Sequence, residues 1–174
     1  MVVHGGIVRD PQVFYKVQEE TLIYDFATNR WVDSFPAVLE NNETISLMMH
    51  TATMTSDDIL VVYGGTSYLS QWDSYYYSGR VFTFDMKTRK WSEIVNEIVP
   101  NPRVLVPGVL IGDDIFYYGG YAYDSESYSM SSDVLAFNVA SGTWREVQYQ
   151  IGDRTSLAPQ SAGAAGGNLN ALCV

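Results

Sequence analysis

The sequence predicts an all-β fold, built from short antiparallel strands in repeating units of four. Three observations predict it. A strand-like run ending in paired glycines occurs three times, as "MVVHGG", "ILVVYGG" and "IFYYGG". Each pair is followed 24 to 26 residues later by a tryptophan, with an aromatic residue seven positions before that tryptophan. No segment carries a sustained helical period with caps.

The elements follow in order along each unit. "LMMHTATMT" and "RVLVPGVLI" are β-rich runs and read as a first strand, A. "SDD" and "GDD" then place Asp57-Asp58 and Asp113-Asp114 in a tight turn. Strand B ends at Gly5-Gly6, Gly64-Gly65 or Gly119-Gly120, where the chain bends or passes close to a neighbour. Strand C is "TLIYDF", "RVFTFD" or "DVLAFN", carrying the aromatics Tyr24, Phe84 and Phe137. Asp25, Asp85 or Asn138, with Thr28, Thr88 or Ser141, then favours a turn held by side-chain bonds to backbone. Trp31, Trp91 or Trp144 opens strand D with a large apolar area to bury. Four strands recurring at glycine spacings of 59 and 55 residues suggest propeller blades.

The glycine pair, the aromatic seven before a tryptophan, and "PNPR" at 100–103 resemble the kelch motif over nearly the whole chain. The resemblance implies a kelch-type β-propeller of about three blades. These are a partial blade at 1–32, blades at 45–95 and 102–148, and the start of a further blade at 157–174. The chain departs from the motif in places. His4, Tyr63 and Tyr118 replace an apolar residue before the glycines, and "APQSAG" stands where a Pro-x-x-Arg stretch is expected. Closed propellers have about 4 to 8 blades. A partial ring implies completion by missing blades of a longer chain, pairing as a homodimer, or an open arc.

Composition limits the function classes. The 174 residues are 47% apolar and 17% charged, as in a globular domain with a sizeable core. A net charge of −10 argues against a nucleic-acid partner and fits a basic one. No secretion signal or run long enough for a membrane span is visible. The lone Cys173 can form no internal disulfide and reads as a buried strand residue. This usage fits the cytosol, yet a propeller needs no disulfides and secretion stays open. Asn42-Glu43-Thr44 matches the glycosylation triplet.

Alternating strand directions put the B–C segments (7–19, 66–79, 121–132) and D–A segments (33–45, 93–102, 146–157) on one rim, where binding is expected. Tyr68, Trp72, Asp73, Tyr75, Tyr76 and Tyr77 in "TSYLSQWDSYYYSG" give one candidate surface. Tyr121, Tyr123, Asp124, Glu126 and Tyr128 in "YAYDSESYSMSS" give the other. Tyrosine with serine, glycine and acid is typical of recognition surfaces. The expected partner is a protein or peptide, basic or arginine-containing. The bland alternative is that these tyrosines pack on neighbouring loops. On the opposite rim, acidic A–B turns beside basic C–D turns should form exposed ion pairs worth little each.

The resemblance raises an enzymatic alternative, because some kelch-type propellers are copper oxidases of the galactose-oxidase kind. Such a site wants His, Tyr and Cys ligands converging. Here His4 and His50 sit in or beside strands and read as structural, and Cys173 is terminal. No zinc spacing, phosphate loop or G-x-S-x-G is present, so no cofactor is expected. "ASGTW" resembles the aspartate box of sialidase propellers but lacks its aspartate. The sequence is therefore read as a non-enzymatic interaction scaffold. A fragment of an enzymatic or carbohydrate-binding propeller, with its essential residues elsewhere, is the second reading.

Overall fold

A computed structural model describes residues 1–12, 14–69, 74–123 and 127–148. Among them there is no helix. The chain forms β1 (Val2–His4), β2 (Ile7–Asp10), β3 (Phe14–Val17), β4 (Glu20–Asp25), β5 (Arg30–Pro36), β6 (Thr51–Met54), β7 (Ile59–Tyr63), β8 (Thr66–Leu69) and β9 (Ser74–Tyr77). It continues with β10 (Val81–Asp85), β11 (Lys90–Ile94), β12 (Arg103–Val104), β13 (Gly108–Ile111), β14 (Asp114–Tyr118), β15 (Tyr121–Tyr123), β16 (Tyr128–Met130), β17 (Val134–Asn138) and β18 (Thr143–Val147).

Three antiparallel sheets carry the repeat. The first has order β1-β4-β5, the second β6-β7-β10-β11 and the third β13-β14-β17-β18. The expected aromatic–tryptophan spacing becomes a cross-strand pair in each: Tyr24 opposite Trp31, Phe84 opposite Trp91, Phe137 opposite Trp144. The intervening turns close as their sequences suggest. Asp25 accepts from the Ala27 N–H and the Thr28 hydroxyl, Asp85 from the Lys87 and Thr88 N–H groups, and Asn138 from Ser141. On this edge Lys87 lies 3.7 Å from Asp58, both well exposed, as the paired acidic and basic turns predict.

The core lies between sheets, and strand alternation distributes it. β7 is apolar on both faces because it is covered on both. Leu60 and Val62 pack with Ala37, Leu39, Ile45, Leu47, Phe82, Phe84 and Trp91 against the first sheet. Val61 and Tyr63 pack with Val81, Val106, Ile115, Tyr117, Leu135 and Phe137 against the third. Residues 33–45 therefore differ from the expected surface loop. Ala37, Leu39 and Ile45 are buried, because the "AVLENNETI" stretch folds back through a Val38–Thr44 bridge and turns its apolar residues inward.

The two sheet-to-sheet joints use the same parts. Trp91 rests on His4 with ring centroids 4.5 Å apart, and Trp144 rests on Tyr63 at 4.6 Å. In each joint the N–H of the second glycine donates across to the next unit, Gly6 to the Leu47 carbonyl and Gly65 to the Arg103 carbonyl, both at 2.8 Å. The polar detail differs. His4 lies opposite Thr21, whose Oγ1 accepts the Trp91 indole N–H at 2.9 Å. The equivalent neighbour of Tyr63 is Val81, and the buried Trp144 indole N–H has no partner among the described residues.

Both glycines of each pair have positive φ, and their surroundings differ. A Cβ on Gly64 would stand 2.4 Å from the Arg103 carbonyl oxygen, whereas one on Gly6 meets nothing within 4 Å. Gly6→Ala should therefore cost only backbone strain, about 1–2 kcal/mol. Gly64→Ala should cost about 3 kcal/mol or more, because the second sheet must also move from the third. Urea denaturation of the two variants checks this ordering.

Candidate functional site

Each glycine pair is followed by a β-hairpin rather than an irregular loop. β2–β3, β8–β9 and β15–β16 are antiparallel pairs inserted between β1 and β4, β7 and β10, and β14 and β17 of the successive sheets. The segments read as long B–C loops are thus strand-forming, with β-rich residues on either side of a polar tip. Each hairpin is tied to its glycine pair at the base. Gln18, Ser78 and Ser131 donate backbone N–H bonds to the carbonyls of Gly6, Gly65 and Gly120, at 2.8, 2.9 and 3.0 Å. The hairpins consequently leave equivalent ends of their sheets and stand side by side.

Register decides which tyrosines face outward. Tyr68 lies opposite Tyr75, ring centroids 5.3 Å apart, and Tyr76 lies opposite Ser67 on the other face of the ribbon. Tyr75 is 52% exposed and Tyr76 46%. Tyr68 and Tyr121 are also exposed. Tyr77 and Tyr123 behave differently. Their rings lie 5.0 Å apart and join the second hairpin to the third, so packing accounts for this pair. Tyr128 pairs with Tyr123 through the backbone. Trp72, Asp73, Asp124 and Glu126 lie outside the described residues.

Sequence puts the first hairpin's segment, 7–19, on the binding rim but singles out no residue in it. The hairpin exposes Ile7, Val8 and Tyr15, the last at 65%. The signal was the β-rich "IVRD" and "FYKV" around Pro11-Gln12, which lacks the tyrosine clustering of the other two. A cleft of about 450 Å³ opens between the first and second hairpins, lined by Asp10, Gln12, Tyr15, Lys16, Glu19 and Tyr68 among others. This size suits a side chain or a short peptide stretch. Arg80 closes a neighbouring region, bonded to Glu43 and to Glu93 with its guanidinium 4.7 Å over the Phe82 ring. Those carboxylates hold its proton more firmly than in a free arginine.

The residues weighed for metal chemistry lie elsewhere. His4 is 7% exposed within the joint between the first two sheets, and its ring centroid is 5.5 Å from that of His50. The His4 Nδ1–H donates to the Glu20 carbonyl at 3.3 Å, leaving Nε2 without a partner among the described residues. Burial, then the neighbouring His50, pushes the His4 pKa down to about 4, and burial pushes His50 down to about 4. Both rings are therefore neutral at pH 7. Among the described residues, no group of three or more His, Cys, Asp or Glu could hold a metal ion. No helix among them is long and apolar enough to cross a membrane. Asn42 is exposed in a turn with φ 67°, and Cys173 and 157–174 lie outside the described residues.

Comparison with known proteins places this geometry. The chain is 27% identical over 137 residues to the host cell factor homolog hcf-1 of Caenorhabditis elegans, covering 68% of this chain and 17% of that protein. It is 23% identical over 82 residues to the Ras guanine nucleotide exchange factor F of Dictyostelium discoideum, covering 47% of this chain and 7% of that one. The chain thus spans less than a fifth of either curated relative. Among solved structures, that of YjhT superposes with a TM-score of 0.65 at 17% identity, covering 84% of this chain and 48% of that one. The model of the KLHDC2/KLHL20/DRC7 kelch-repeats domain matches residues 1–172. With glycine pairs, tryptophans and four-stranded sheets falling where that match runs, the chain belongs to this kelch-repeat family and has a kelch-type β-propeller fold.

Proposed function

We propose that the chain is a non-enzymatic protein-interaction module, which binds a peptide or protein through the rim formed by its three hairpins. The observation that carries this reading is the set of exposed tyrosines on the three hairpins, Tyr15, Tyr68, Tyr75, Tyr76 and Tyr121, of which Tyr15 and Tyr68 line the cleft between the first two. Tyrosine offers rigid apolar area with a polar tip, at low entropic cost on binding. Asp10 and Glu19 in the cleft, with the net charge of −10, favour a basic residue flanked by apolar side chains over a nucleic acid. The seating of both histidines in a sheet-to-sheet joint supports binding over copper chemistry. Units 1–32, 45–95 and 102–148 serve as blades that hold the hairpins in register.

Selection of random displayed peptides on the immobilised chain tests the reading. Enriched peptides should carry Lys or Arg beside apolar residues. Their affinity should fall about tenfold or more in a Tyr75→Ser/Tyr76→Ser double variant whose melting temperature is unchanged. Enriched peptides that bind the double variant as tightly as the parent chain would rule out this rim.

A further inference from the structure

A second pocket, of about 150 Å³, lies at the base of the second hairpin. Its floor is Ile45, Leu47 and Phe82, all buried members of the core between the first two sheets. Packing therefore shapes this floor before any partner arrives. A cavity of this size with apolar walls holds one ring or one branched alkyl chain.

The pocket and the cleft between the first two hairpins are neighbours. Ser67 and Tyr76 lie opposite each other in the ribbon and line the pocket, whereas Tyr68 lines the cleft. The two openings thus flank the same hairpin. Ser46 lines both of them. The bridge between Met48 and Thr66 holds that segment beside β8, and the Ser46 hydroxyl donates to the Val17 carbonyl of the first hairpin at 3.5 Å.

Charge narrows the occupant. Arg80 stands at the pocket's edge, but it is no anion site. Glu43 and Glu93 both bond it, so one positive charge is answered by two negative ones. The cleft sets Asp10 and Glu19 against Lys16. Both openings therefore disfavour an acidic residue, and the pocket offers its floor to an apolar one.

We propose that this pocket anchors one apolar side chain, of leucine or phenylalanine size, on the basic peptide that the rim binds. The lysine or arginine of that peptide lies across Ser46 in the cleft. This rests on the hairpin-rim reading and adds to it a fixed, short spacing between the basic and the apolar residue. Two sites that share one wall residue set that spacing, because an extended chain advances about 3.3 Å per residue.

The probe is the most enriched displayed peptide. An alanine scan of it should find one apolar residue whose loss weakens binding about tenfold or more, at a spacing from Lys or Arg that recurs in the other enriched peptides. Ser67→Phe fills the pocket from a half-buried position. It should weaken the probe by a similar factor and leave the alanine-substituted peptide bound as the parent chain binds it. A photo-leucine at the anchor position reads the contact on the unaltered chain, and should label 43–47, 67 or 76–82. Labelling elsewhere overturns the proposal, as do variable spacing and equal weakening of both peptides by Ser67→Phe. A probe that loses affinity in Tyr75→Ser/Tyr76→Ser but ignores Ser67→Phe overturns the pocket and leaves the rim reading standing. A probe that ignores both variants overturns both.

Discussion

Trp91→Ala is expected to lower stability by about 3–5 kcal/mol, the loss typical of emptying a buried aromatic site. The indole is 3% exposed and touches both sheets of the first joint: Phe84 at 5.2 Å within its own sheet and His4 at 4.5 Å in the one before. Its removal also orphans the Thr21 hydroxyl, which accepts the indole N–H at 2.9 Å. Thr21→Val separates the polar part from the packing part. It keeps the volume, leaves the indole N–H buried without a partner, and should cost about 1–3 kcal/mol. The second joint already lives with that defect, because Val81 stands where Thr21 does. Urea denaturation of the two variants gives both figures. Equal losses would mean that the hydrogen bond rather than ring packing holds the joint.

Acid is expected to weaken the same joint through its histidines. Each folded imidazole has its pKa lowered to about 4 from the ordinary 6.5. The unfolded chain therefore binds protons before the folded chain does. The stabilisation is fully present above pH 6.5 and is lost as pH falls toward 4. Between pH 7 and pH 4.5 each imidazole should cost roughly 2–3 kcal/mol, with the pair coupled rather than additive. The second joint supplies the control. Tyr63 and Val106 occupy there the positions of His4 and His50, so His4→Tyr with His50→Val rewrites the first joint in the chemistry of the second. Urea unfolding midpoints at pH 7 and 4.5 should converge in that double variant. A parent-like acid loss in it would assign the effect to carboxylates such as Glu43, whose pKa is lowered chiefly by its bond to Arg80.

The parts of the fold legible in the sequence are those set by local chemistry and repeated. The glycine pairs, the Asp25, Asp85 and Asn138 turns and the aromatic–tryptophan spacing each act within a few residues or across one hairpin. What was not legible depends on neighbours distant in the chain. Nothing local distinguishes Trp31 from Trp91, yet one is exposed and the other buried, because Trp91 packs against His4 of another sheet and Trp31 meets only its own sheet among the described residues. Arg103 in "PNPR" marked only the approach to a strand. In the fold its guanidinium is buried, reaching Asp133 at 2.7 Å and the Gly119 carbonyl at 3.3 Å, so it holds the base of the third hairpin.

The site was half legible for the same reason. Tyrosine content located the second and third hairpins but could not sort their faces. Tyr75 and Tyr76 point to solvent, while Tyr77 turns inward onto Tyr123 of the next hairpin. The first hairpin carries Ile7, Val8 and Tyr15 in ordinary strand sequence, and only its position beside Tyr68 brings it into the surface.

The central claim is that partners are bound on the hairpin rim. Hydrogen–deuterium exchange with a peptide selected on the chain tests it most directly. The account predicts slowed exchange on binding in β2–β3, β8–β9 and β15–β16, with the turns at 26–29, 55–58 and 86–89 on the far edge unchanged. Protection confined to those turns, with the hairpins unaffected, would contradict it.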